Sequence, residues 1–264
     1  MNDHAAWVDT LHSSADGVYR VILNRPAKKN AFTPTMYREV KQAVLAAGND
    51  PLIDVIIVEG TDGIFSSGGD LKTLLDILDL PPDQRLNAFV AAFNETMPFQ
   101  AMADCPKPII AKVDGLCLAG GLILAALADA TIASTRAEFG VPEGRVGVVD
   151  AFCPVLLPAS IGLSRARYMM TSGVRIDAAT ALAWGLVLKV VPLAELEATV
   201  QETVAEFKRV SPDSRRLYKR AANRLLPRVN PTVVLDAALT ENGREGLAAF
   251  RDKRQPQWVP SGDL

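Results

Sequence analysis

Two glycine-containing turns are the first features of this sequence whose residue types could carry out chemistry. Residues 66–70 (SSGGD) and 118–121 (LAGG) each follow a predicted strand and open a predicted helix. The start of a helix carries unpaired N–H groups and a partial positive charge, and glycine lets a ligand atom approach the backbone closely. Two such N–H groups aimed at one carbonyl oxygen would form an oxyanion hole. Glycines also serve tight turns and close helix–strand packing, and the residues alone leave both interpretations open.

A candidate acid lies in the strand-like segment 138–143 (EFGVPE), which ends with Glu143 beside apolar neighbours. A carboxylate in an apolar pocket has a raised pKa and can exchange protons near neutral pH. Glu143 is therefore a candidate proton carrier. A loop glutamate can instead cap a helix or pair with a nearby cation, here Arg145, and the segment taken by itself favours that simpler role.

Alternating strand and helix signals must position these residues. Runs rich in β-branched residues predict strands at 18–24, 53–59, 108–114 and 130–134. Helix signals follow the first three strands: Thr33 as an N-cap with Pro34 in the first turn, then starts near Asp70 and near Gly120. Strands that alternate with helices predict an α/β fold with a mainly parallel, covered sheet.

The C-terminal third is predicted to be mostly helical. Five segments read as helices, with a strand at 188–191 between them; the helical segments are 158–172, 177–184, 193–209, 212–226 and 233–254. No low-complexity linker or fixed-period repeat divides the chain. We therefore predict a core domain over residues 1–192 and a helical C-terminal region over 193–264.

Composition and charge are those of an ordinary globular protein. The 264 residues are 49% hydrophobic and 22% charged, with a net charge of −2, whereas a nucleic-acid-binding protein would present a basic face. The cysteines Cys105, Cys117 and Cys153 form no C-x-x-C pair, which indicates buried thiols in a reducing compartment. The first 16 residues lack a signal-peptide pattern, and the apolar stretch 116–128 is too short to cross a bilayer. We expect a soluble cytoplasmic protein without nucleic-acid or membrane partners.

Several familiar catalytic systems have no support in the sequence. His4 and His12 both precede the first predicted core strand, which leaves the body of the chain without an imidazole base or metal ligand. The G-x-S-x-G, H-E-x-x-H, G-x-x-x-x-G-K-[ST] and G-x-G-x-x-G motifs are absent. We expect no metal site, and proton transfer would fall to a carboxylate, tyrosine, cysteine or lysine.

Six ordered motifs resemble those of the crotonase superfamily, the enoyl-CoA hydratases and isomerases. They are LNRP with NA soon after, IFSSGGDLK, KPIIAKVDGLCLAGG, DATIA, EFGVPE, and RIDAA with WGLV. The terminal segment REGLAAFRDKR is similar to the last helix of that family, so the resemblance covers residues 18–254. It implies a spiral of ββα units, with a helical C-terminal region that forms homotrimers, often paired into hexamers.

The resemblance also implies roles for individual residues. Gly69 and Gly120 match the positions whose N–H groups hold the thioester oxygen of an acyl-CoA. Ser66 and Gly68 lie in the segment that would accept the adenine edge through backbone groups. The remaining coenzyme A contacts would be Lys28, Lys29 and Lys72 near the phosphates, with Phe250 and Lys253 from a neighbouring subunit. Lys28 and Lys29 could equally be ordinary surface charges. Coenzyme A belongs to the substrate here, and no separate cofactor is implied.

One substrate-site position departs from the hydratase pattern. Hydratases of this family use two glutamates; Glu143 matches the second, but Ile123 occupies the position of the first. Without the second carboxylate, the positioning of water for hydration is compromised. One carboxylate suffices to move a double bond, because it can take a proton from C2 and return one to C4. Asp150 lies one residue before the loop aspartate of dienoyl-CoA isomerases and chlorobenzoyl-CoA dehalogenases, and helix capping is its simpler role.

Three functions remain open on these residues. The first is an enoyl-CoA isomerase in which Gly69 and Gly120 hold the enolate oxygen and Glu143 carries the proton. The second is an enoyl-CoA hydratase in which Asp150 or an ordered water replaces the missing acid. The third is an acyl-CoA-binding protein without turnover, for which Ile123 is the main support.

Overall fold

The computed structural model of the protein describes residues 7–225, 229 and 232–260. Within these residues a six-stranded sheet and a three-stranded sheet form. The strands are β1 (Thr10–Ala15), β2 (Val18–Leu23), β3 (Val55–Gly60), β4 (Ile109–Val113), β5 (Leu116–Leu118), β6 (Ala130–Ser134), β7 (Glu138–Gly140), β8 (Arg175–Asp177) and β9 (Lys189–Val191). The larger sheet has the order β1-β2-β3-β4-β6-β9 and is parallel except for β1. In the smaller sheet, β7 pairs in parallel with β5 and antiparallel with β8.

Helices cover the larger sheet and dominate the C-terminal third. In the described part of the chain they are α1 (Pro34–Asn49), α2 (Leu71–Leu78), α3 (Pro82–Phe89), α4 (Phe99–Asp104), α5 (Gly120–Leu127), α6 (Cys153–Ile161), α7 (Leu163–Ser172), α8 (Ala178–Trp184), α9 (Leu193–Lys208), α10 (Pro212–Asn223), α11 (Thr232–Ala238) and α12 (Glu241–Arg251). Helix α1 begins as the sequence predicts, because the Thr33 hydroxyl accepts a hydrogen bond from the Met36 N–H at 3.0 Å and Pro34 occupies the first turn.

The larger sheet buries both of its faces, as expected for parallel strands. Along β3, Val58 faces the larger core, which includes residues of α1 and α5, whereas Ile57 faces a smaller core. Helix α9 closes the smaller core with apolar side chains one turn apart, at Leu196, Val200 and Val204. Helix α9 therefore packs on the sheet although it follows residue 192, and the division into two regions at that residue stays a prediction.

The predicted α/β class with a mainly parallel sheet is confirmed, but two long helices are wrong as single elements. The segment predicted as 158–172 consists of α6 and α7, because Gly162 adopts a positive φ of 79° between them. The segment predicted as 233–254 consists of α11 and α12, because the Thr240 hydroxyl caps a new helix by accepting from the Gly243 N–H. The last residue of the predicted helix 212–226 lies outside the described residues.

Strand β1 is an edge strand that the sequence does not predict. The structure puts His12 on this strand, whereas His4 lies outside the described residues. The two ring nitrogens of His12 contact the hydroxyls of Thr10 at 2.7 Å and Tyr19 at 3.2 Å. Burial lowers the pKa of His12 to about 4, although Glu39 opposes this shift. The ring is therefore neutral at physiological pH and has a structural role.

The C-terminal helices α11 and α12 pack against α2 and α3. A third apolar cluster joins these helices through Leu74, Ile77, Phe89, Leu235 and Leu247. Helix α12 also lies on the short helical turn Glu143–Val146, where a side chain on Gly246 would collide with the Val146 carbonyl. The segment that carries Glu143 is thus held from the C-terminal side. None of the described helices combines the length and apolar character needed to cross a bilayer.

Candidate active site

The two glycine turns lie side by side in the fold. Ser66 donates its N–H to the Leu116 carbonyl, and its carbonyl accepts from the Leu118 N–H, both at 2.9 Å, so the first turn runs parallel to β5. Gly68 has a φ of +98°, and any side chain there would collide with the methyl group of Ala119. The turns are therefore in direct contact, as an oxyanion hole built from both would require.

Some N–H groups of the two turns donate hydrogen bonds within the described part of the protein, and others do not. The Ser67 N–H donates to the Lys29 carbonyl at 3.0 Å, and the Gly68 N–H donates to the Ser66 hydroxyl at 3.1 Å. The N–H groups of Gly69 and Gly120 donate to no other residue in the ranges that the structure describes. These are the two amides that the sequence nominates as oxyanion donors, and they remain available to a ligand.

Backbone strain accompanies the second turn. Ala119 adopts φ 53° and ψ −126°, a region that residues with a side chain rarely occupy. Its N–H donates to the Gly140 carbonyl at 3.0 Å, which ties the turn to β7. Helix α5 begins at the next residue, Gly120, so this conformation sets the direction in which the Gly120 amide points. Strain of this kind persists where the surrounding structure enforces it, often at functional sites.

Glu143 follows β7, the strand that lies beside β5 and the second glycine turn. Its Oε2 atom is buried and has no hydrogen-bond partner among the described residues. Burial, and then the charge of Asp150, raise the pKa of Glu143 to about 8. No ion pair joins Glu143 to Arg145 within the described residues, so the simple charge pairing that the sequence allowed is not observed. The side chain instead has the properties of a proton carrier near neutral pH.

Asp150 has the helix-capping role that the sequence offered as the simpler one, and it also acts electrostatically on Glu143. Its Oδ1 atom accepts hydrogen bonds from the backbone N–H groups of Phe152, at 2.7 Å, and Cys153, so it caps the start of α6. Burial raises its pKa despite these hydrogen bonds, and its charge in turn acts on Glu143. The two carboxyl groups therefore form one electrostatically coupled pair.

Ile123 lies one turn into α5 from Gly120 and is 1% exposed. It belongs to the larger apolar core, so the position that would carry a second glutamate contributes only hydrocarbon surface. Cys117 and Cys153 are also buried, Cys153 beside Asp150, and burial raises the pKa of both thiols. With Cys105, all three cysteines are buried and free, as the sequence predicts. Among the described residues, no cluster of side chains is suited to hold a metal ion.

Tyr37 is a residue of this site that sequence reasoning missed. It lies on α1, is 4% exposed, and stacks on Phe32 with ring centroids 4.5 Å apart. Its hydroxyl oxygen lies where a side chain on Gly120 would extend, and close to the corresponding place at Gly69. Burial, then the charges of Asp150 and Glu143, raise the pKa of Tyr37. In the sequence Tyr37 is one of the apolar residues along an amphipathic helix, and nothing in that pattern marks its hydroxyl.

The residues assigned to coenzyme A lie on the first glycine turn and on exposed parts of the chain. The N–H groups of Ser66 and Gly68 are used internally, and their carbonyl oxygens accept from Leu118 and Phe32. Within the described residues, the Ser67 carbonyl is the backbone group of that segment left for an adenine edge. Lys28 is exposed on the short turn Pro26–Lys28, and Lys72 is exposed on α2, where it pairs with Asp76 at 2.7 Å. Phe250, on α12, and Lys253 are also exposed. The coenzyme A contacts of these residues stay predictions.

Comparison with known sequences decides the family. The sequence profile described as enoyl-CoA hydratase/isomerase matches residues 13–260, nearly the whole chain. This chain belongs to the enoyl-CoA hydratase/isomerase family. The resemblance to the crotonase superfamily is thereby confirmed, and the protein is an enzyme of that family.

Individual family members agree with this assignment over at least 90% of their length. A probable enoyl-CoA hydratase, echA8, of Mycobacterium tuberculosis is 33% identical over 247 residues, covering 90% of this chain and 93% of the relative. The mevalonyl-coenzyme A hydratase sidH of Aspergillus fumigatus is 33% identical over 259 residues, covering 90% of each chain. The crystal structure of an enoyl-CoA hydratase from Mycobacterium avium matches with a TM-score of 0.79 and 26% identity, covering 97% of this chain and all of that one. The crotonase fold implied by the sequence is confirmed.

Proposed function

We propose that this enzyme of the enoyl-CoA hydratase/isomerase family is an enoyl-CoA isomerase that moves a 3-enoyl double bond to the 2-position. In this proposal the free N–H groups of Gly69 and Gly120 bind the thioester oxygen and stabilise the enolate that forms. The Glu143 carboxylate removes a proton from C2 of the acyl chain. It returns a proton to C4 as the double bond moves, so no water and no further reactant is consumed.

The observation that carries this proposal is the unpaired carboxyl oxygen of Glu143. Its Oε2 atom is buried without a partner among the described residues, and the nearby position on α5 that could supply a second acid is the apolar Ile123. The neighbouring Asp150 already accepts hydrogen bonds at the start of α6, so Glu143, with its raised pKa, suits a reaction that needs one proton carrier for both transfers. Addition of water requires, in addition, a group that orients the water molecule.

Hydration is the second candidate function, and two observations favour it. Asp150 is electrostatically coupled to Glu143, so it could take the place of the missing glutamate. The relatives echA8 and sidH carry the names of hydratases. In this alternative Glu143 works with Asp150 or with an ordered water molecule, and the product is a 3-hydroxyacyl-CoA.

Two substrates separate these candidates. The enzyme is incubated separately with crotonyl-CoA and with 3-hexenoyl-CoA, and the products are followed by chromatography. We expect 2-hexenoyl-CoA from the second substrate and little 3-hydroxybutyryl-CoA from the first; rapid hydration of crotonyl-CoA without isomerisation contradicts the isomerase proposal. Tight binding of both substrates without turnover favours the third function, an acyl-CoA-binding protein that is catalytically impaired.

The proposal includes an assembly and a location. We propose a homotrimer or a hexamer made of two trimers, in which Phe250 and Lys253 of one subunit reach the coenzyme A bound to another. Light scattering with and without acyl-CoA measures the assembly directly. We also propose a cytoplasmic location, which the three buried free thiols support because such cysteines are typical of reducing compartments.

A further inference from the structure

The hydroxyl group of Tyr37 occupies the space between the two glycine turns. If Gly120 carried a Cβ atom, that atom would overlap with the Tyr37 hydroxyl oxygen, and a Cβ on Gly69 would lie 3.7 Å from the same oxygen. One hydroxyl therefore faces both residues whose amides are free. It also explains why residue 120 must lack a side chain, since the φ of Gly120 itself is not in the positive region that favours glycine.

The aromatic ring that carries this hydroxyl is held rigidly. Phe32 stacks on one face of the ring with an angle of 7° between the planes, and Phe99 contacts it edge-on with centroids 5.8 Å apart. Phe152, next to the carboxyl pair, packs edge-on against Phe99 in turn. Because these contacts fix the ring, the hydroxyl cannot turn away from the glycine turns, and it is a preorganised group.

The hydroxyl is also unpaired. Tyr37 is 4% exposed, and its oxygen makes no hydrogen bond to any other residue that the structure describes. Because this hydroxyl has no protein partner within the described ranges, it is available to donate a hydrogen bond to an acceptor on a bound molecule. Burial and the charges of Asp150 and Glu143 raise the pKa of Tyr37 and keep the phenol protonated at neutral pH. The group therefore acts as a donor rather than as a base.

We propose that the Tyr37 hydroxyl is a third donor to the thioester oxygen, beside the N–H groups of Gly69 and Gly120. This inference rests on the proposed function, because it requires that an enolate forms at this position. An oxygen bound between the two amides would lie within reach of the hydroxyl, and negative charge on that oxygen strengthens the O–H···O hydrogen bond. The interaction therefore contributes more to the enolate than to the uncharged thioester.

The first experiment replaces Tyr37 with phenylalanine, which removes only the hydroxyl. We expect kcat for 3-hexenoyl-CoA to fall about 100-fold while KM changes little, the lower end of the range for loss of one oxyanion donor. The matched control is Tyr218→Phe, since Tyr218 is 76% exposed on α10 and should be dispensable. A Tyr37→Phe enzyme with unchanged kcat would overturn the inference, as would an equal loss of affinity for every acyl-CoA.

A binding measurement separates this inference from the proposed function. Acetoacetyl-CoA enolises and carries its charge on oxygen, whereas butyryl-CoA does not; calorimetry gives the affinity of the wild type and of Tyr37→Phe for each. We expect the variant to lose affinity for acetoacetyl-CoA about tenfold and to keep its affinity for butyryl-CoA. If the wild-type enzyme neither binds these thioesters nor converts enoyl-CoA, the proposed function fails and the inference with it. If the wild type does both and Tyr37→Phe equals it, only the inference fails.

A double-mutant cycle tests the position of the hydroxyl without any substrate. We expect Gly120→Ala to lower the Tm, because its methyl group collides with the Tyr37 hydroxyl. In Tyr37→Phe the nearest remaining atom is the ring carbon Cζ at 3.5 Å, an ordinary contact, so the same change should lower the Tm much less. Equal Tm losses in both backgrounds would overturn the position assigned to the hydroxyl.

Discussion

Two pairs of carboxyl groups in this protein differ in whether cationic side chains pair with them. Between the sheet and α9, Glu59 accepts from Arg20 at 2.6 Å and from Lys112 at 2.7 Å, and Glu197 pairs with the same two cations. Burial opposes the ionisation of Glu197, but hydrogen bonds from Lys112, Gln201 and Arg20 outweigh it and lower its pKa to about 2. At the glycine turns no cation of the described residues pairs with Glu143, and its pKa is raised.

The difference teaches that burial alone does not mark a functional carboxylate. The Glu59 side chain is only 12% exposed, yet two cations satisfy it, and it stabilises the fold. Glu143 is left for a partner that the described part of the chain does not provide, and this makes it the candidate for chemistry. The protein thus has one cluster whose cations favour the ionised form of Glu197 and another site whose burial favours the protonated form of Glu143.

The largest expected effect comes from Glu143→Gln, which keeps the shape and removes the titration. We expect kcat to fall by about 10²- to 10⁴-fold, the usual contribution of a general acid or base. Steady-state kinetics with 3-hexenoyl-CoA measures this effect. A variant that retains full activity would remove Glu143 from the mechanism.

The same variant should be more stable than the wild type at high pH. Because the pKa of Glu143 is raised to about 8 in the folded protein, its contribution is fully present below the ordinary pKa near 4.3 and is lost as the pH rises through 8. A glutamine side chain does not ionise, so we expect Glu143→Gln to give a gain in Tm that is larger at pH 9 than at pH 5. A gain independent of pH would contradict the raised pKa.

In contrast, Glu59→Gln should weaken the fold and spare the activity. Removing one member of a buried ion pair costs several kcal/mol, and we expect about 2 kcal/mol here because Glu197 still pairs with Arg20 and Lys112. Urea unfolding at pH 7 measures the loss, with kcat as the control. A Glu59→Gln variant that is stable but inactive would contradict the structural role assigned to Glu59.

Glu197 and Glu143 should also differ in how their contributions to stability depend on pH. The lowered pKa of Glu197 means that its contribution is present above about pH 4.3 and is lost as the pH falls through about 2. We therefore expect the difference in stability between the wild type and Glu197→Gln to shrink on acidification. A difference that grows at low pH would contradict this assignment.

A smaller effect is expected for Asp150→Asn. The asparagine oxygen can still accept from the Phe152 and Cys153 N–H groups, so the start of α6 stays capped. Without the charge of Asp150, the pKa of Glu143 should fall, and the acid limb of kcat/KM should move to lower pH by about one unit or less. The pH–rate profile measures the shift. Loss of hydration without loss of isomerisation would assign Asp150 to water positioning.

The smallest expected effect concerns an exposed ion pair. Lys72 is 77% exposed at its side chain and, among the described residues, its ammonium group pairs only with Asp76. If it contacts the phosphates of coenzyme A, Lys72→Ala should raise KM less than about fivefold, more at low salt, and leave kcat unchanged. A KM that does not respond to this change at any salt concentration would remove Lys72 from the binding site.

Sequence periodicity was sufficient for five strands of the main sheet, but not for its edge strand β1 or for the smaller sheet. The four core strands stand out as runs of five or six residues rich in β-branched side chains, such as IIAKV in β4. Strands β5 and β8 have three residues each, too few for an alternating pattern to be recognised. Similarly, Gly162 lies within a continuous helical pattern, and the break that it introduces depends on tertiary contacts of α6 and α7.

For the active site, the sequence revealed the parts of the backbone but not all of the side chains. The glycine pairs and Glu143 are visible because glycine and proline mark turns. Tyr37 is not visible, because a buried tyrosine on an amphipathic helix has the same spacing as a leucine. The raised pKa of Glu143 depends on Asp150, whose approach to Glu143 only the folded chain defines.

The contact between Gly68 and the Ala119 methyl group has a mechanical consequence. Since the methyl group fills the place of a side chain at Gly68, neither turn can be displaced along this contact without moving the other. Any widening that admits a bulkier acyl chain must then take place away from this contact. We expect the spacing between the donor amides to stay constant across substrates of different length, so chain-length preference and catalytic power can vary independently.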